Sequence, residues 1–284
     1  VKEGFFMAII SFCGSDERET GQTLASIAVA TMMAIDHNYR ILHISTGFRD
    51  KTVTRCFWNQ NKTESVAQIV GGQATGINNG VEGLIKLLQS NRTSNNIVSD
   101  YAKVVFRERL DVLPALTTDD INEYNEDIEY YEQIAKLANK DYNMVFIDID
   151  KKMKPDVKKK ILEISDIVVL TIKQGADMIE ETAKLRSEDE IFSKKNVIIM
   201  IGKWDKYSKF NITNVTRELR EKRRICAISY NTLFFDASTE GKVADFFIKF
   251  RKINEKDRNA MFISEVRQVA EKMIARLQEL QMRM

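Results

Sequence analysis

The sequence predicts an α/β protein with a doubly wound, mostly parallel sheet flanked by helices. Two observations predict it. Strand-length runs rich in Ile and Val recur without apolar/polar alternation, which is the pattern of strands covered on both faces. Helical stretches separate these runs, and strand–helix alternation implies parallel pairing. With 284 residues and only 12 Gly and 2 Pro, the chain can bury a full core and holds no linker-like stretch. One domain over 1–284 is expected.

In chain order, the first strand is expected at 5–12. Its apolar opening lacks the basic lead-in and small-residue cleavage site of a signal peptide, so it reads as buried structure. A polar loop over 14–20 leads into an apolar helix at 23–35, and the next strand is at 40–45. A long, mostly polar and helical region containing Gly71, Gly72 and Gly80 precedes a short strand at 110–113. Four more strands are expected at 143–148, 166–172, 196–201 and 225–228, with helices at 119–139, 155–165, 176–192 and 215–222. The last helix is expected at 262–284, with Val266, Val269, Met273, Leu277 and Leu280 on one face. Arg267, Lys272, Arg276 and Arg283 would suit a membrane-surface helix. Glu265, Glu271 and Glu279 dilute that charge, so packing on the domain is the expectation.

Composition excludes several functions. The 43 basic and 41 acidic residues nearly cancel, so no global field favours nucleic acid or an anionic membrane. Lys151, Lys152, Lys154 and Lys158 to Lys160, and the basic residues within 217–224, read first as solvated helix faces; DNA binding is the weaker reading. Cys13, Cys56 and Cys226 form no C-x-x-C pair, which predicts a reducing, cytoplasmic setting and no Cys-based zinc site. His37 and His43 are the only histidines, too few for a His-rich metal centre or a nucleophile–His pair. No apolar run approaches the roughly 18 residues of a membrane span.

Ligands of such sheets bind beyond the carboxyl ends of the strands, so the loop after strand one is the first candidate site. It ends Thr20-Gly21-Gln22-Thr23-Leu24 at the start of a helix. A phosphate-binding loop needs glycine for close backbone approach, a Lys for the outer phosphates and a Ser/Thr hydroxyl for magnesium. Gly21 and Thr23 satisfy two of these needs, and the helix N-terminus favours an anion. The Lys position is Gln22, and an early glycine position falls on Asp16. Asp148 ends an apolar strand, where a carboxylate can hold magnesium directly or through water; the plainer reading is a turn cap.

These segments resemble the MinD/ParA-type P-loop ATPases along nearly the whole chain. The matching stretches are FMAIISFCGSDERETGQTLASIAVA, ILHISTGFRDKTV, RLDVLPA, NMVFIDID, DIVVLTIKQ and ICAISYNTLFFDASTEGKV. More narrowly, GQTLASIAVATMMAI, IGKWDKYSKFNITNVTREL and FISEVRQVAEKM are similar to the TadZ/CpaE-like branch associated with Tad (Flp) pilus assembly. The resemblance implies ATP and Mg2+ as ligands and a homodimer. It also implies pilus ATPase or membrane platform proteins as partners, with recruitment to the membrane through them.

It assigns Gly21, Gln22, Thr23 and Leu24 to the nucleotide and Thr23 with Asp148 to the metal. The signature lysine of the family falls on Glu17, with Arg18 adjacent as a possible cation. The water-organising carboxylates of strand two fall near His43 and Ser45, neither of them an acid. Lys203, Trp204 and Tyr230 stand where the family holds its base, the two aromatics as stacking candidates. Interactions of the lost kind are individually worth about 3 kcal/mol in a transition state, so slow or no hydrolysis is expected. A ParA-like ATPase of DNA partitioning or conjugative transfer, and a nucleotide-free scaffold, are the alternatives.

Overall fold

The computed structural model describes residues 7–14, 19–58, 80–90, 96–194, 196–221 and 224–282. Eight strands form one sheet: β1 (Ala8–Gly14), β2 (Ile41–Ser45), β3 (Lys103–Phe106), β4 (Leu110–Leu113), β5 (Met144–Asp148), β6 (Ile167–Ile172), β7 (Val197–Trp204) and β8 (Ile225–Ser229). Their order is β3-β4-β2-β5-β1-β6-β7-β8, and every pairing is parallel except β3 with β4. The central strands are buried on both faces, which is why their sequences run apolar without alternation.

Helices cover both faces. On one face, Ile10 and Phe12 of β1 meet α1 (Gln22–Asp36) and α2 (Thr52–Phe57). On the other, Ile9 and Cys13 join a core built with α3 (Val81–Gln89), α4 (Ile97–Tyr101), α5 (Ile121–Asp127) and α6 (Tyr131–Ala138). That second core continues through α7 (Pro155–Ile164), α8 (Ala176–Glu188), α9 (Glu190–Lys194) and α10 (Ile212–Glu218). The chain then returns to the first face as α11 (Thr232–Glu240), α12 (Val243–Phe250) and α13 (Ala260–Gln281).

Several expectations change in detail. The edge strand β3 was not foreseen. Its hairpin turns through Glu108 at φ 59 without a glycine, so the usual turn signal is missing. The helix expected over 119–139 is α5 and α6 joined by a 3-10 turn at Ile128–Tyr130. That expected over 176–192 breaks at Asp189, whose carboxylate accepts from the backbone N–H of Ile191 and Phe192. Helices α11 and α12 were also missed, although Asn231 caps the first and Gly241, at φ 75, ends it. Gly71 and Gly72 lie outside the described residues.

The terminal helix packs rather than faces a membrane. Its apolar stripe, including Ile263, Val266, Met273 and Leu277, is buried against α1 and β8. Asp36 sits unfavourably at the negative end of α1, and Arg267 and Arg251 offset it at 2.7 and 3.3 Å. Among the described residues, no helix is long and apolar enough to cross a membrane.

Candidate functional site

Parallel register brings three strand ends together. Phe12 of β1 and Ser45 of β2 both pair with Asp148 of β5, and the acid meets Gln22 and Thr23 at the start of α1. That loop enters α1 through Gly21, at φ 79 and ψ 16, a left-handed conformation glycine adopts without strain. A cavity of about 510 Å³ opens over this corner, lined by Gly21, Gln22, Thr23, Leu24, Asp148 and Tyr230 among others.

Gln22 does not point into that space with its amide. Its Nε2 donates to the Phe12 carbonyl at 3.1 Å, to Asp148 Oδ1 at 2.7 Å and to the Ile149 carbonyl at 2.9 Å. Two N–H protons shared among three acceptors leave no donor for phosphate. Thr23 Oγ1 donates to Asp148 Oδ2 at 2.7 Å, so both carboxylate oxygens are engaged. Burial pushes the Asp148 pKa up to about 6; the bonds from Thr23 and Gln22 pull it down, and Asp50 and Asp150 push it up.

A second web holds the neighbouring loops. Thr46 Oγ1 donates to the Asp148 carbonyl at 2.9 Å and accepts from the Asp150 N–H at 2.8 Å. Asp150 in turn accepts from the N–H groups of Phe48 and Lys152. These ties fix the carboxyl ends of β2 and β5 to one another. Sequence reading passed over Thr46, though it directly follows strand two.

Lys203 belongs to a different part of the site than expected. At the end of β7, its alkyl chain lies along Gly21, where an added Cβ would sit 3.2 Å from its Cγ. Its Nζ is 3.5 Å from Glu19 Oε2, and its backbone is held at φ 50. Gly202 permits this approach, because a Cβ there would lie 2.0 Å from the Thr20 carbonyl oxygen. Nothing in the local sequence pairs Gly202 with Thr20.

Tyr230 lines the cavity, half-exposed, 5.9 Å from the ring of Phe235. Trp204 departs from its expected stacking place. Its indole N–H donates to Glu265 at 2.8 Å, and its ring packs against the second core, outside the cavity lining. Glu265, on α13, also accepts from the N–H and hydroxyl of Ser229, and so ties the ends of β7 and β8 to the terminal helix. Arg18 and Glu17 lie outside the described residues.

The strand-two positions are closed. Ser45 is buried, and His43 is buried with Nε2 2.9 Å from Ser26 Oγ. Ser26 already donates to the Thr23 carbonyl, so the histidine Nε2–H is the donor of that pair. Burial lowers the His43 pKa to about 4, and the buried ring lies outside the cavity lining, away from any water held there.

No family model matches the chain, and no curated protein matches it. Solved structures do. A ParA family ATPase from Chlorobium tepidum TLS superposes with a TM-score of 0.65 at 12% identity, over 90% of this chain and 97% of that one. The Pyrococcus furiosus cell division ATPase MinD gives 0.64 at 12% identity, over 94% and 98%. The fold is the ParA/MinD fold. A third ParA/MinD-fold structure, the septum site-determining protein MinD complexed with Mg-ADP from Pyrococcus horikoshii OT3, gives 0.61 at 12% identity, over 94% and 95%.

The donor set at the β1–α1 corner suits magnesium carried in with phosphate. Thr23 offers a hydroxyl oxygen, and Asp148 fixes it from behind. Among the described residues, no cluster of three or more His, Cys, Asp or Glu could hold a metal by itself.

Proposed function

We propose that this chain is a nucleotide-binding switch of the MinD/ParA type with slow or no hydrolysis. The observation that carries the reading is Gln22. It occupies the position of the phosphate-binding lysine and spends its amide protons on Asp148 and two carbonyls. Gly21, the α1 N-terminus and the Thr23–Asp148 pair remain as a cradle for a magnesium nucleotide. Thr23 and Asp148 would hold the ion, which neutralises phosphate charge when bound. Neither His43 nor Ser45 supplies a carboxylate to orient water, so the arrangement suits binding better than turnover.

In the narrower reading, the protein is TadZ-like. It positions or helps assemble a Tad/Flp-type pilus machine as a homodimer, through contacts with a pilus ATPase or membrane platform proteins. The sequence resemblance supports this, and the ParA/MinD fold is compatible with it. A ParA-like role on DNA is the second reading, favoured by the exposed Lys151, Lys152 and Lys154 beside the site.

Calorimetry with Mg·ATP, with phosphate release followed on the same preparation and Thr23→Ala as control, tests the proposal. Binding with negligible release, weakened by Thr23→Ala, is the expected result. Turnover typical of a P-loop ATPase and abolished by Thr23→Ala would overturn it. So would the absence of binding at millimolar nucleotide. Salt-sensitive DNA retention that requires Mg·ATP would transfer support to the partition reading.

A further inference from the structure

The cavity's cations among the described residues are Arg55, Lys151, Lys152 and Lys203. Of these, Lys203 is the one whose side chain runs along Gly21, with Cγ, Cε and Cδ as the three nearest atoms to a Cβ built there. We infer that Lys203 supplies a phosphate-binding cation in place of the lysine that Gln22 replaces, delivered from the end of β7 to the α1 N-terminus. The inference rests on the nucleotide reading and deepens it.

Four features converge on this assignment. Gly202 lets β7 close on the Thr20 carbonyl, to a distance that any side chain would prevent. The next residue holds a left-handed backbone, at φ 50, that a lysine adopts only at a cost. Its ammonium is not buried in a stable pair: the Glu19 contact is 3.5 Å long, and the glutamate is largely exposed. An exposed pair of this kind contributes little, so the ammonium can exchange Glu19 for a phosphate oxygen at small cost. Gln22, turned inward, leaves the space beside Gly21 to the lysine. The position suits a phosphate rather than a base, because Gly21 caps the N-terminus of α1, where helix N–H groups favour an anion.

Calorimetric titration of Mg·ATP into the wild type and four variants tests the assignment. Lys203→Ala and Lys203→Gln should each raise Kd about tenfold, the loss of one charge-assisted contact, while Lys203→Arg keeps most of the affinity. Glu19→Gln should lower Kd about two- to threefold, because it removes both a competitor for the ammonium and a charge that repels phosphate. Ligand-free unfolding midpoints close to wild type would place the loss at the ligand. The Gln variant keeps the test usable if the Ala variant unfolds. Wild-type affinity in Lys203→Gln would overturn the assignment, as would equal losses in Lys203→Arg and Lys203→Ala. If the wild type itself binds no Mg·ATP, the nucleotide reading fails first, and that is read before any substitution is made.

Discussion

Gln22 Nε2 and Asp148 Oδ1 are 2.7 Å apart, a neutral donor against a buried carboxylate at the point where the loop leaves β1. In a phosphate-binding loop this position carries a lysine that faces the ligand. Here the amide closes the pocket floor instead.

Restoring the charge should restore phosphate affinity. In Gln22→Lys, an ammonium replaces the amide beside Asp148 and reaches the cavity. We expect Mg·ATP to bind about tenfold tighter by calorimetry, with little gain in phosphate release because His43 and Ser45 still offer no carboxylate. A large gain in turnover would show that the missing lysine alone limited hydrolysis.

Asp148 should make the fold less stable as pH rises. Its pKa is about 6 in the folded chain, above the ordinary 3.8, so the folded state binds the proton more tightly. Stability is therefore highest below about pH 4 for this group and falls through the window up to pH 6. Asp148→Asn removes that ionisation and keeps an acceptor for Gln22. Thermal unfolding at pH 8 should rise by about 2–6 °C, with the gain shrinking toward pH 5.

His43 acts in the opposite direction. Its folded pKa, near 4, lies below the ordinary 6.5, so the unfolded chain takes up the proton first as pH falls. Its contribution is present above pH 6.5 and is lost on acidification toward pH 4. His43→Leu should flatten the decline of the unfolding midpoint between those pH values. Ser26 keeps its bond to the Thr23 carbonyl, which limits the cost of the substitution.

Gly202→Ala should damage both the fold and the site. The new methyl would meet the Thr20 carbonyl oxygen at 2.0 Å, a backbone atom that cannot rotate away. We expect a loss of about 2 kcal/mol or more in denaturant unfolding, together with weakened Mg·ATP binding. Unchanged stability would mean that the loop and the end of β7 separate without cost.

Much of this molecule was legible in its residues. The runs at 143–148 and 166–172 are apolar throughout because β5 and β6 are covered on both faces, so burial itself wrote the signal. Gly21, Thr23 and Asp148 were legible for a related reason, since each stands at the end of an element whose start or stop is marked in sequence. Short elements were less so. β3 carries four residues, two of them exposed, and α11 and α12 are only nine and eight residues long, the first with weak helical periodicity.

What the sequence determined by itself was a mostly parallel sheet, the run of its main strands and helices along the chain and a candidate corner for a ligand, because local periodicity and caps are near-neighbour properties. Only the tertiary structure decided which way the side chains of that corner point. Trp204 turns to Glu265, 61 residues away, and Lys203 turns to Gly21 across the sheet. Gln22 spends its amide on Asp148, 126 residues away in the chain. Contacts of this separation depend on strand order and close packing, and no spacing along the chain encodes them.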